Sequence, residues 1–156
     1  MTQREFIQFL TDLPEEQMKA ELTKAFTERY GAGTEEIMMI ASPARINIIG
    51  EHIDYNGGKV FPAAINRYLY VLLRKRPDTK IIYDDIRFPG ALEFSSTETF
   101  GYRRENQYAN YLNGMLAMLQ KGGCTLTSGF EVLFFSKLPA GGGISSSAAL
   151  GVGFGR

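Results

Sequence analysis

Two segments of this 156-residue sequence concentrate residues that can do chemistry. The first, Arg45-Ile46-Asn47-Ile48-Ile49-Gly50-Glu51-His52-Ile53-Asp54-Tyr55-Asn56-Gly57-Gly58, holds a cation, two carboxylates, an imidazole and two amides. Glu51, His52 and Asp54 supply acceptors and one group that donates or accepts at neutral pH, which suits a ligand with several hydroxyls held in fixed directions. A solvated turn explains Asn56-Gly57, a strong hairpin signal, but not the stretch from Arg45 to Asp54. One histidine with two carboxylates lacks the two-histidine spacing of a zinc peptidase helix, so no zinc or iron site is expected. From residue types alone, Arg45 and Asp54 read first as a structural ion pair.

The second segment, Leu138-Pro139-Ala140-Gly141-Gly142-Gly143-Ile144-Ser145-Ser146-Ser147-Ala148-Ala149-Leu150, follows an apolar run at 130–135. Strand, glycine-rich turn and helix start succeed one another. The glycines allow close backbone approach, the serines add donors, and a new helix aims its unsatisfied amides at whatever lies before it. That is phosphate-binding equipment, although a glycine turn with serine caps also joins strands to helices without any ligand. No Gly-Lys-Ser/Thr closes the segment, so it is not the common P-loop, and neutralising charge must come from elsewhere.

The elements that position these segments follow from periodicity. Residues 14–30 carry Met18, Leu22, Ala25, Phe26 and Tyr30 on one helical face, stopped by Gly31-Ala32-Gly33. Runs at 37–41, 67–74, 81–83, 91–94 and 130–135 read as strands. A second amphipathic helix spans about 108–119, with Tyr108, Tyr111, Leu112, Met115 and Leu119 inward and Gly122-Gly123 as its end. Neither repeat nor linker divides the chain, so the expected fold is one α+β domain over residues 1–156, a mixed β-sheet with packed helices.

Composition excludes several classes. Seventeen basic and 17 acidic side chains leave a formal charge of zero, which offers no footprint for nucleic acid or anionic lipid. The first residues mix charged and apolar side chains, resembling neither a secretory leader nor a membrane span, so a cytoplasmic address is expected. Cys124 is the only cysteine, which rules out an internal disulfide and reads as a small semi-buried thiol.

Taken together, the two segments resemble the galactokinases. Pro43-Ala44-Arg45 through Gly58, continuing into Val60-Phe61-Pro62-Ala63-Ala64-Ile65, is similar to their N-terminal signature. Residues 138–149 resemble the glycine-serine motif shared by galactokinase, homoserine kinase, mevalonate kinase and phosphomevalonate kinase. With Tyr108-Ala109-Asn110-Tyr111-Leu112-Asn113-Gly114, the likeness spans most of the chain. It implies the N-terminal domain of that superfamily, of the type of the second domain of ribosomal protein S5. It also implies ATP and Mg2+ as cofactors, galactose as substrate, and transfer of the γ-phosphoryl group to the anomeric hydroxyl. Glu51, His52 and Asp54 would hold the sugar, and Arg45 would stabilise the transferring group. Gly141, Gly142, Gly143, Ser145, Ser146 and Ser147 would wrap the nucleotide phosphates, with Ser147 on magnesium. Tyr108 would stand where the family has tryptophan beside adenine.

The pattern has departures. Ala44 replaces the usual glycine before the arginine, and Gly151 stands where relatives tend to carry glutamate. Gly151, Gly153 and Gly155 each weaken a helix by roughly 1 kcal/mol relative to alanine, so the helix after the phosphate segment is expected to fray. The resemblance places the catalytic base, an aspartate, later than Arg156, together with a C-terminal domain; no acidic residue follows Glu131. The chain is therefore expected to be an N-terminal part, missing its natural packing partner and leaving apolar faces exposed. Two alternatives to galactose phosphorylation are a kinase for N-acetylgalactosamine or another sugar and a non-catalytic sugar- and nucleotide-binding protein.

Overall fold

The computed structural model describes residues 1–50, 52–138 and 145–156, with Asp54 in its backbone only. A strand that is apolar at every position must be covered on both faces. The runs at 69–73 and 132–135 are of this kind, and they lie side by side. Among the described residues, β1 (Met38–Ile49), β2 (Phe61–Lys75), β3 (Lys80–Asp85), β4 (Leu92–Ser95) and β5 (Phe130–Ser136) form one sheet in the order β1-β2-β5-β3-β4. β5 and β3 run parallel, and the other neighbours are antiparallel. Leu69, Val71, Val132 and Phe134 face α3 (Ala109–Lys121) and α4 (Ser146–Phe154), whereas Tyr70, Leu72, Leu133 and Phe135 face α1 (Gln3–Asp12) and α2 (Glu15–Tyr30). This is the mixed-sheet α+β architecture that the sequence predicts.

α2 buries Met18, Leu22, Ala25 and Phe26 as expected, and Gly31 ends it at a φ of 77° that favours glycine. The Tyr30 hydroxyl donates to the Val132 carbonyl at 2.9 Å. α1 is an addition to the sequence reading. Its signal is the capping box, in which Thr2 Oγ1 accepts from the Glu5 amide and Glu5 Oε2 from the Thr2 amide.

Three expectations are corrected. α3 forms, but its buried stripe is Ala109, Leu112, Asn113 and Leu116, while Tyr111 and Leu119 are exposed. Apolar residues surround this helix, so its periodicity does not fix the inward face. Cys124 is exposed, one residue past the turn at Gly122-Gly123. α4 runs unbroken to Phe154 despite its glycines, because Gly153 is where the helix meets the sheet. A Cβ there would lie 2.9 Å from Ser42 Cβ and 3.2 Å from Val71 Cγ2. Gly153→Ala is therefore expected to destabilise the chain by roughly 1–3 kcal/mol through overpacking. Gly151→Ala, whose Cβ would meet only Met115 Sδ at 3.8 Å, should stabilise it by up to about 1 kcal/mol. Urea unfolding of both variants decides the point, and equal effects would remove the close-packing role of Gly153.

A buried ion cluster ties α2 to the sheet. Glu131, 1% exposed, accepts from Arg74 Nε at 2.6 Å and Arg76 Nη1 at 2.7 Å. Arg74 also donates to the carbonyls of Tyr30 and Gly31, satisfying acceptors at the C-terminal end of α2, and its guanidinium lies over the Phe26 ring.

Candidate functional site

β1 and β2 are longer than the sheet can use. β2 pairs with β5 only from Leu69 onward, yet its pairing with β1 continues out to Ile49 and Phe61. The first motif thus begins in a two-stranded ribbon beyond the sheet, where the sequence reading, with its strand at 37–41, assigned none. Leaving the sheet exposes Ile48, Ile49 and Phe61. Register shifts fall between Pro43 and Arg45 and between Asn47 and Ile49, so Arg45 stands between two irregularities of the kind that re-aims side chains. Its Nη1 donates to Asn47 Oδ1 at 2.8 Å. The preceding Ala44 is fully buried, and its methyl group is part of the core.

At the ribbon's tip the chain closes on itself. The Asn56 and Gly58 amides both donate to the Ile53 carbonyl at 3.0 Å around a 3-10 turn, Asp54–Asn56. Gly50 has a φ of 102°, and a Cβ there would meet Lys59 O and Val60 Cα at 2.9 Å, so this position requires glycine. His52 is exposed at a φ of 60°, with Nδ1 2.7 Å from the Tyr55 hydroxyl. Glu51, the side chain of Asp54 and hence the Arg45–Asp54 ion pair lie outside the described residues, as do Gly141, Gly142 and Gly143.

The structure brings the two motifs together at the base of the ribbon. Ser42, Pro43, Ala44, Arg45, Pro62 and Ala64 share a cavity of about 350 Å³ with Ala148, Ala149 and Val152 of α4. Ser42 Oγ is buried beside it, without a hydrogen-bond partner among the described residues. Ser145, in the left-handed region at a φ of 59°, is the N-cap of α4, and its side chain makes no capping bond. The first turn carries no acidic residue, and the Ser147 side chain is exposed. An uncapped helix start without a carboxylate suits an external anion.

Tyr108 lies elsewhere. Its ring stacks on Phe88 at 5.6 Å and meets Phe134 edge-on, its hydroxyl donates to the Tyr83 carbonyl at 3.3 Å, and burial pushes the phenol above its ordinary range. Next to it, Tyr102, Arg104, Gln107, Asn110 and Tyr111 line a cavity of about 440 Å³. Sequence reasoning assigned no role to Tyr102 or Arg104, whose only signal was an aromatic-cation cluster just before Tyr108. Asn110 clamps the loop ahead of α3, since its side chain donates to the carbonyls of Arg103 and Gln107 and accepts from the Arg103 amide.

Residues 24–75, from α2 to the end of β2, match the galactokinase galactose-binding signature. A galactokinase of Clostridium beijerinckii is 39% identical over 133 residues, covering 84% of this chain and 33% of the relative. One from Enterococcus faecalis is 46% identical over 111 residues, covering 70% and 28%. The crystal structure of Lactococcus lactis galactokinase complexed with galactose superposes with a TM-score of 0.78 at 41% identity, over 85% of this chain and 34% of that one. Over the part it spans, the chain belongs to the galactokinase family. It spans about a third of the length of these relatives. Methanococcus jannaschii mevalonate kinase, 21% identical with a TM-score of 0.64 over 78% of this chain and 39% of its own, shares the fold. The galactokinase signature therefore covers the whole β1-β2 ribbon and its tip, and no described helix is long and apolar enough to cross a membrane.

Proposed function

We propose that the chain supplies the sugar-holding tip and the phosphate-facing helix of an ATP-dependent galactose 1-kinase. The observation that carries this reading is the shared cavity joining Arg45 of the signature ribbon to the first turns of α4. Glu51, His52 and Asp54 hold sugar hydroxyls at the ribbon's tip. Gly141, Gly142, Gly143, Ser145 and Ser146 face the nucleotide phosphates, supported by the uncapped, acid-free start of α4. Ser147, exposed in the first turn of α4, offers its hydroxyl to Mg2+ alongside phosphate oxygens and water. Tyr108, with exposed Tyr102 and Tyr111 around the neighbouring cavity, flanks the adenine.

MgATP supplies the phosphoryl group. Arg45 stabilises charge on its equatorial oxygens, and the tip orients the anomeric hydroxyl for in-line attack. The apolar side chains exposed on the ribbon and on α4, Ile48, Ile49, Phe61 and Val152, are where the other two thirds of a full-length galactokinase would pack.

His52 is the only histidine, so isotope labelling of histidine gives one unambiguous probe of the tip. Saturable galactose titration of its ring resonances is expected in the folded 156-residue chain, with weaker or absent response to N-acetylgalactosamine. No response to galactose would remove the sugar assignment, and a preferential response to N-acetylgalactosamine would redirect it.

A further inference from the structure

His52 is held by two side chains of its own turn. Its left-handed backbone, at a φ of 60°, costs a residue other than glycine about 1–2 kcal/mol and persists only where the surroundings impose it. Asn56 Nδ2 donates to the His52 carbonyl at 2.9 Å, and the Tyr55 hydroxyl lies 2.7 Å from His52 Nδ1 with the rings edge to face. Of these two groups the phenol is the stronger proton donor. A neutral imidazole has one N–H and one acceptor nitrogen, and the donor strength of the phenol favours the arrangement in which the Tyr55 O–H donates and Nδ1 accepts. The ring proton then resides on Nε2. Tyr55 is 72% exposed and belongs to neither core, and among the described residues its hydroxyl meets His52 Nδ1.

We propose that Tyr55 and Asn56 are positioning residues that fix His52 in one backbone state and one ring tautomer, so that the turn presents an Nε2–H donor to a ligand oxygen. The tautomer follows from the turn alone. Its use on a galactose hydroxyl rests on the function proposed above.

The test is nitrogen NMR of the 156-residue chain labelled at histidine, in mildly alkaline solution and without sugar. The wild-type ring is expected to show a protonated Nε2 and an unprotonated, hydrogen-bonded Nδ1. In Tyr55→Phe the Nδ1 resonance is expected to move to the position of a free acceptor nitrogen, with the second tautomer gaining population. A wild-type proton on Nδ1, or no change in Tyr55→Phe, overturns the proposal. Galactose titration then separates the two readings. An affinity about tenfold weaker in Tyr55→Phe, the size of one hydrogen-bond-scale loss of about 1.4 kcal/mol, supports both. A shifted Nδ1 with unchanged galactose affinity supports the tautomer assignment and removes His52 from the sugar site. Asn56→Ala is expected to weaken galactose binding while leaving the Tyr55-dependent Nδ1 shift in place.

Discussion

If the proposed galactose 1-kinase reading holds, replacing Arg45 by alanine in a full-length protein is expected to slow galactose-dependent ADP release about a thousandfold, with galactose affinity changed by less than about threefold. The reason lies in where the ribbon places the guanidinium. Arg45 stands between two register shifts, bonded to Asn47, on the wall of the cavity that also contains the start of α4. In the proposed reaction a fixed cation there would act on charge that develops during phosphoryl transfer, and contacts of that kind affect kcat more than ground-state binding. A thousandfold loss is about 4 kcal/mol of transition-state stabilisation. Arg45→Lys should recover a small part of it, since an ammonium retains charge but not the planar fork. Kinetics of ADP release against galactose concentration decide the matter. An Arg45→Ala enzyme with normal kcat and raised KM for galactose would make Arg45 a sugar ligand, and one with normal kinetics would make it structural.

The largest expected stability effect belongs to Glu131, which nothing in the functional reading uses. Glu131→Ala should cost about 3–5 kcal/mol, because it leaves the Arg74 guanidinium buried without its carboxylate. Arg74 is 6% exposed, and its other partners, the carbonyls of Tyr30 and Gly31, offer dipoles but no compensating charge. Replacing the pair together, as Arg74→Met with Glu131→Leu, should cost much less, since two apolar groups of similar volume need no solvation. Urea unfolding of the singles and the double closes the cycle. If the double variant loses as much as the two singles combined, the damage is packing and the ion cluster is not what holds α2 to β5.

How much of this was legible beforehand differs by element. Met18, Leu22, Ala25 and Phe26 announced α2 because helical spacing and burial coincide along a helix polar on its other side. The runs in β2 and β5 were plain because both faces are apolar, yet the extent of β1 and β2 was not. Their outer halves leave the sheet, so alternation there follows no core. α3 showed its existence but not its orientation, and α1 was missed although Thr2 and Glu5 stood at capping-box spacing.

The family likeness, the two chemical motifs and the order of most elements were all readable from residue types, since they reside in local spacing. It took the packed fold to bring Glu131 to Arg74 across 57 residues, to seat Gly153 of α4 against Ser42, and to give Arg45 a cavity in common with Ala148. It also set Tyr55 against His52 and rotated α3 away from Tyr111. Periodicity records which side of an element is apolar. It does not record which distant surface that side will meet, and the chemistry of the site depends on those meetings.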